Sequence, residues 1–300
     1  MISPLVSIVI PSYNHDKYIK DCIKGIIEQD YEKIELLIID DGSTDNSMNK
    51  IKELEDSCKK RFVRFEFRTR PNKGLCATLN EAIKWCKGDF YSAIASDDIM
   101  LSHKTSRQVE HLMKNPTCDA VFGGANIIDD MGNVVRTKMS KRGSFKFEDI
   151  FLMRHSLSAP TQMIRLIALR NAGQYPSGIY IEDWYMWLKL TSLGSRVDDL
   201  GEIVVNYRRH ETNISLNLER MNAARTELIE LYNMHPLYRK AKATIALSSA
   251  MDIQPFSKIK SIRYIIISLS ETLTILFDKR FYRFFVKMFI PKFMKKYLIG

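Results

Sequence analysis

The chain has 300 residues, 45% of them apolar, which suffices for one large or two small domains around a sizeable core. Its formal net charge is +10, a balance that favours anionic partners such as phosphorylated substrates or a membrane surface. Residues 251–300 hold ten Lys/Arg against three Asp/Glu, so the excess is concentrated there, and the near-neutral remainder speaks against a nucleic-acid-binding core.

In chain order, the first residues have no basic segment ahead of their short apolar run. They read as a strand, not a signal peptide, and a cytoplasmic protein is expected. Apolar, β-branched runs at 6–10, 35–40, 62–67 and 90–95 fit buried strands of a parallel sheet. Helical spacing occupies 18–29, 48–58 and 75–86. This alternation implies βαβ units and a Rossmann-like α/β half-domain. Further on, 120–129 and 134–137 flank a Met-Gly-Asn turn and suggest a hairpin. Helical patterns follow at 147–154 and 183–193, then a strand-like 202–207. From about Leu218 the pattern is helical, interrupted by Pro236, Pro255 and Pro291. The five cysteines (Cys22, Cys58, Cys76, Cys86, Cys118) have no Cys-x-x-Cys or Cys/His ligand spacing, so free thiols in a reducing compartment are expected.

Ligands of open α/β sheets bind outside the carboxyl ends of the strands. Strand one closes on Pro11-Ser12-Tyr13-Asn14 and strand two on Asp40-Asp41-Gly42-Ser43-Thr44-Asp45. Strand three leads to Asn72-Lys73-Gly74, and strand four closes on Ser96-Asp97-Asp98. Each acidic run alone could be a turn or a helix cap. Two of them at strand ends facing one crevice point elsewhere, because adjacent like charges need a cation or donors to offset them. A hard divalent cation takes one or two carboxylates plus substrate phosphates. No dinucleotide-binding glycine fingerprint, P-loop or His-Glu-x-x-His occurs.

Six motifs in order, Ile-Pro-Ser-Tyr-Asn at 10–14, Asp-Asp-Gly-Ser-Thr-Asp at 40–45, Asn-Lys-Gly at 72–74, Ser-Asp-Asp at 96–98, Glu-Asp-Trp at 182–184 and Tyr-Arg-Arg-His at 207–210, resemble those of family-2 inverting glycosyltransferases of the bacterial surface-polysaccharide type. The resemblance covers roughly 4–215. It implies the A-type glycosyltransferase fold, a mixed, mostly parallel sheet, with a helical C-terminal extension. It makes 1–215 a nucleotide-sugar-binding and catalytic domain and 216–300 a helical, basic extension. Pro11 and Tyr13 would line the nucleotide pocket, Asp41 would meet the base, and Asn72, Lys73 and Gly74 would flank base and ribose. Asp97, Asp98 and His210 would hold Mn²⁺ or Mg²⁺, Arg208 would contact the diphosphate, and Asp183 would be the catalytic base. Ala95 departs from the family pattern: it replaces the first carboxylate of Asp-x-Asp-Asp, and Ser96 would take part of that role.

The function implied is transfer of one sugar, with inversion, from a nucleotide sugar, expected to be UDP-linked, to a glycan or lipid-linked acceptor in polysaccharide synthesis such as that of O-antigen. A nucleotidyltransferase and a non-catalytic, membrane-associated sugar-nucleotide-binding protein are the competing readings. Residues 264–277 are apolar but too short to span a bilayer. In 281–299, aromatic and basic residues alternate at helical spacing, as in a segment lying on an anionic membrane surface. A peripheral place on the inner face of the cell membrane is therefore expected.

Overall fold

The computed structural model describes residues 3–211 and 213–289. Strands β1 (Val6–Ser12) and β2 (Ile34–Asp40) read as near-continuous apolar runs because neighbours cover them on both edges and both faces. Helix α1 (Ile19–Ile27) buries Ile19, Cys22, Ile23 and Ile26 against them. The stretch expected to form one helix over 48–58 is two: α2 (Ser47–Lys52) and α3 (Glu55–Arg61). Leu54, at the break, turns in to pack on the core. Strand β3 (Arg64–Thr69) alternates Phe65 and Phe67 with Arg64, Glu66 and Arg68, the pattern of a charged edge strand.

Next come α4 (Leu75–Trp85), β4 (Phe90–Ala93), the two-residue β5 (Ile99–Met100) and α5 (Lys104–Lys114). The expected hairpin is present as β6 (Cys118–Ile128) and β7 (Val134–Lys138), paired antiparallel. Strand β8 (Gly143–Phe145), helix α6 (Phe147–Phe151), β9 (Met163–Arg165), α7 (Leu166–Ala172) and α8 (Glu182–Ser192) lead to β10 (Arg196–Arg208). β10 is much longer than the 202–207 core of its pattern, because a bulge near Gly201 hides the alternation of its first half. Trp184 and Trp187 of α8 are both buried core residues.

The described strands form one sheet in the order β3-β2-β1-β4-β9-β6-β10-β5, with β7 on β6 and β8 on β10. β1, β2, β3, β4, β6 and β10 run parallel; β9, β5, β7 and β8 oppose them. This is the mixed, mostly parallel α/β sheet expected. The strand order reverses between β1 and β4, which places a crevice at their carboxyl ends.

Two compact units result: residues up to Phe147 with His155–Asn213, and Glu148–Arg154 with the chain from Ile214 on. The second contains α9 (Leu218–Glu230), α10 (Tyr238–Ile253), α11 (Lys258–Glu271) and α12 (Lys279–Phe289). Ala243, Leu247, Ala250, Ile265, Ile275, Phe281 and Phe284 form its core. Phe281 and Phe284, expected at a membrane surface, are thus internal, while Tyr282, Phe285, Val286 and Phe289 remain exposed. The rest of that expected segment, with Pro291, Phe293 and Tyr297, lies outside the described residues. None of the five cysteines forms a disulfide. No described helix is long and apolar enough to cross a membrane.

Candidate active site

Because six strands share one direction, the segments that follow β1, β2, β3, β4, β6 and β10 leave the sheet along one edge. After β1, Asn14 adopts φ 52°, a left-handed conformation that asparagine tolerates, and the chain turns sharply. Its backbone N–H donates to Ser43 Oγ (2.9 Å), and its side-chain oxygen accepts from the Thr44 N–H (2.8 Å). The β1 and β2 exits are thereby tied together. Pro11 is half-buried and Tyr13 is 47% exposed, its ring open to solvent.

Asp41 is buried, and its carboxylate accepts from Arg70 Nη1 and from the backbone N–H groups of Lys73 (2.8 Å) and Gly74 (2.8 Å). It therefore shapes the loop 72–74. Gly42 lets that loop approach: with φ 80°, an added Cβ would lie 2.8 Å from Asn72 N. Asn72 and Lys73 are exposed, and Gly74 has φ 85° at the start of α4. One turn into α4, Cys76 Sγ donates to Ile179 O (3.7 Å), which brings the segment leading to Asp183 beside this loop.

Asp183 lies in the first turn of α8, where its Oδ1 accepts from Trp184 N (2.6 Å) and the helix dipole favours its negative charge. Burial, first, and the Asp183 charge, second, push the neighbouring Glu182 carboxyl up to about 8.

Beyond β4 the chain turns at Ala95, whose carbonyl accepts from Asp98 N (3.1 Å). Asp97 is 6% exposed. Its Oδ2 faces His210 Nε2 (2.9 Å) and Asn213 Nδ2 (3.3 Å), whereas its buried Oδ1 has no hydrogen-bond partner among the described residues. Across from Oδ1, at 3.9 Å, is Nδ1 of His15, which also meets Ser96 Oγ (2.8 Å). Ligand atoms of His15, Asp97 and His210 all lie within 4.8 Å of one another. An orphaned carboxylate oxygen among nitrogen donors is a fit for a divalent cation. Ser12 Oγ and Asp40 Oδ2, at the ends of β1 and β2, are likewise buried without a partner.

Two expected roles meet a different geometry. Asp98 is not in the three-residue cluster: it is fully buried and its Oδ1 accepts the N–H of Arg208 (2.9 Å), tying the β4 exit to the end of β10. Burial and the adjacent Asp97 charge push it well above the usual carboxylate range. Arg208, expected at the diphosphate, is 1% exposed. Its guanidinium donates to the carbonyls of Asp97 (3.0 Å), Asp129 (3.2 Å) and Asp130 (2.9 Å) and to Asp21 Oδ2 (3.2 Å), and it lies over the Tyr18 ring. It braces the backbone of Asp97 from behind. His15, to which the motifs gave no role, is the residue that the fold adds. Its ring packs edge-on to Tyr18 and His210, and burial lowers its pKa from the ordinary histidine value.

A mixed, mostly parallel sheet with Asp41, Asp97 and Asp98 at the exits of its parallel strands is the arrangement of an A-type glycosyltransferase fold. Glycosyl transferase family 2 matches residues 7–168, and the chain belongs to that family. A relative from Escherichia coli, UDP-Glc:alpha-D-GlcNAc-diphosphoundecaprenol beta-1,3-glucosyltransferase WfgD, is 28% identical over 214 residues, 71% of this chain and 80% of its own length. Among solved structures, S. aureus TarS 1–349 in complex with UDP-GlcNAc superposes with a TM-score of 0.63 at 18% identity, covering 89% of this chain and 80% of that one. The mannosyltransferase PcManGT from Pyrobaculum calidifontis, in complex with GDP-Man and Mn²⁺, does so with a TM-score of 0.62 at 15% identity, covering 96% and 84%. The protein is a glycosyltransferase with the A-type fold. Its family sets aside the nucleotidyltransferase and non-catalytic readings.

Proposed function

We propose that this enzyme moves a single sugar from a UDP-sugar to a lipid-linked saccharide at the inner face of a cell membrane, in the assembly of a surface polysaccharide such as O-antigen. The observation that carries the reading is the set of buried, unpartnered oxygens of Ser12, Asp40 and Asp97 along one edge of the sheet. Native proteins seldom leave such groups unmatched except where a ligand completes them. WfgD, by its name, uses UDP-Glc and a diphosphoundecaprenol acceptor, and TarS was crystallised with UDP-GlcNAc.

In this reading the first unit binds donor and performs catalysis, and the chain from Ile214 on is an accessory. The exit of β1 with Pro11 and Tyr13 and the loop 72–74, shaped by Asp41, take the nucleoside. Asp97 and His210 hold a divalent cation, Mn²⁺ or Mg²⁺. When bound, the cation supplies neutralisation of the negative charge that develops on the departing diphosphate. Arg208 and Asp98 position the β4 exit, and Ser96 Oγ holds the His15 ring until the cation binds. Asp183, in the first turn of α8, accepts the proton of the acceptor hydroxyl as its oxygen bonds to the anomeric carbon. The bond from that carbon to the diphosphate breaks with its electron pair leaving on the nucleotide. One such displacement inverts the anomeric configuration, so an α-linked donor yields a β-linked product.

The second unit suits the membrane half of the reading. α11 packs Ile265, Tyr264 and Leu269 on the core together with the buried Ser261 and Ser268, yet also leaves Ile259, Ile262, Ile266 and Ile267 exposed, so it is apolar on its outer face as well. Phe277 is 89% exposed. Around them Lys258, Arg263, Lys279, Arg283 and Lys287 have no carboxylate partner among the described residues. Exposed apolar side chains on helices that also carry cations without carboxylate partners match the boundary of an anionic bilayer.

Donor hydrolysis tests the proposal. UDP-, GDP- and dTDP-sugars are offered with Mn²⁺, with Mg²⁺ and with chelator, to the wild type and to Asp97→Asn. Turnover of a UDP-sugar that the chelator and the substitution both abolish is expected. Equal rates with chelator would overturn the cation; preference for GDP or dTDP would overturn the donor.

A further inference from the structure

We infer that His15 is the third protein ligand of the cation, standing in for the carboxylate that Ala95 lacks, and that the resulting two-imidazole, one-carboxylate set selects Mn²⁺ over Mg²⁺. The inference rests on the cation reading above and deepens it.

The geometry begins at the backbone. His15 is fixed before its ring is considered: its N–H donates to Ser47 Oγ (3.0 Å), and its carbonyl accepts from Tyr18 N (3.0 Å) and Ile19 N (2.9 Å). The left-handed turn at Asn14 aims the side chain back over the strand ends. There Nδ1 comes 3.9 Å from Asp97 Oδ1, the orphaned oxygen. Two ligand atoms at that separation can be bridged by one ion, since first-row divalent metals sit about 2.0–2.2 Å from nitrogen and oxygen ligands. His210 Nε2 approaches the same carboxylate from the other side. The ring needs to exchange only its bond to Ser96 Oγ for the metal, and Tyr18 and His210 flank it in place.

The same position explains how the chain tolerates Ala95. That residue uses its backbone carbonyl to close the turn onto Asp98 N and offers a methyl side chain to the site. A ligand lost from the β4 exit is therefore supplied from the β1 exit. The exchange alters the chemistry. Mg²⁺ is a hard ion that demands near-ideal oxygen octahedra and dehydrates reluctantly, whereas Mn²⁺, although the weakest binder of the first-row divalent series, is a transition ion that accepts imidazole more readily than Mg²⁺ does. Replacing one carboxylate by an imidazole weakens Mg²⁺ more than Mn²⁺.

The test measures metal binding to the full chain without donor, by calorimetry and by the loss of the free Mn²⁺ electron paramagnetic resonance signal. His15→Ala, partly exposed and outside the core, is expected to keep the wild-type melting temperature while weakening Mn²⁺ at least tenfold, since even supporting residues of metal sites are worth about 10–100-fold. Adding Ala95→Asp to His15→Ala should restore binding and move the Mn²⁺/Mg²⁺ preference toward Mg²⁺. Unchanged Mn²⁺ affinity in His15→Ala, with loss in Asp97→Asn, overturns the role of His15 alone. No loss in either variant overturns the cation reading together with it.

Discussion

The carboxylates at the two edges of the sheet are held differently. At the amino-terminal edge, Glu35 is fully buried and fully answered: Ser7 Oγ (2.6 Å), Lys87 N (2.6 Å), Gly88 N (3.2 Å) and Arg64 Nη1 (3.0 Å) all donate to it. Asp198, near the start of β10, is held by Arg196, Ser144 and His111 (2.9 Å), and these bonds pull it well below the usual carboxylate range against the effect of burial. His111, Asp198 and the buried Cys118 do converge, but the carboxylate there already has its cation in Arg196. At the carboxyl edge Asp97, Asp40 and Ser12 all keep atoms unmatched among the described residues, whereas in the first half of β10 only Asp199 Oδ2 does, and its Oδ1 accepts from Ser140 Oγ and Gly201 N. Satisfied charges brace a fold; unsatisfied ones at a crevice await a ligand.

Removing a charge from each edge should separate activity from stability. Asp183→Asn keeps shape but cannot take a proton, so kcat should fall about 10²–10⁴-fold with the melting temperature little changed. Steady-state kinetics beside thermal denaturation reads both. Glu35→Ala should do the converse: a loss of about 3–5 kcal/mol in denaturant unfolding, because Arg64 and three other donors lose their acceptor, with activity per folded molecule retained. If Glu35→Ala instead abolished turnover in folded protein, the division between the edges would fail.

Lys104 sharpens the comparison because it is buried with no counter-ion among the described residues. Its Nζ donates to Ser92 Oγ (2.7 Å) and Gln162 O (3.2 Å), and burial pushes it down to about 7 from 10.5. Below 10.5 the unfolded chain binds this proton and the folded chain resists it, so this group makes stability rise with pH between about 7 and 10.5. Lys104→Met should raise stability near pH 7 by a few kcal/mol, with the gain shrinking toward pH 10.5. Melting temperatures across that range check the slope; a gain constant with pH would mean packing, not protonation, is responsible.

Much of the strand and helix order was legible because doubly covered parallel strands read as apolar runs. The acidic strand exits were legible too, since chain order alone puts them on one edge. Contacts between distant segments were not. His15 and Ser96 are 81 positions apart and meet only through the turn at Asn14. Arg208 reads in sequence as a cation leaving a strand; only the fold surrounds it with Tyr18, Asp21, Asp129 and Asp130. Likewise the apolar periodicity of α11 marks a face but not its side, and the side that faces in carries two buried serines, each with a hydrogen-bond acceptor (Ser261 to Lys258 O, Ser268 to Ala243 O).

The outer face of α11 applies the logic of unmatched groups to apolar surface. Serines inside can be tolerated when hydrogen-bonded, but isoleucines outside cost free energy in water unless something covers them. Full burial of one isoleucine is worth about 1.5–3 kcal/mol. Ile262→Ser with Ile266→Ser should therefore lower partition onto vesicles rich in anionic lipid by about tenfold or more, while the enzyme still hydrolyses donor in solution. Neutralising Arg263 and Arg283 should weaken binding less, about 1 kcal/mol per charge, and only on anionic vesicles. Vesicle sedimentation distinguishes the two contributions. If the isoleucine pair left partition unchanged but turned a dimer into a monomer, the face would belong to a second copy of the chain instead of a bilayer.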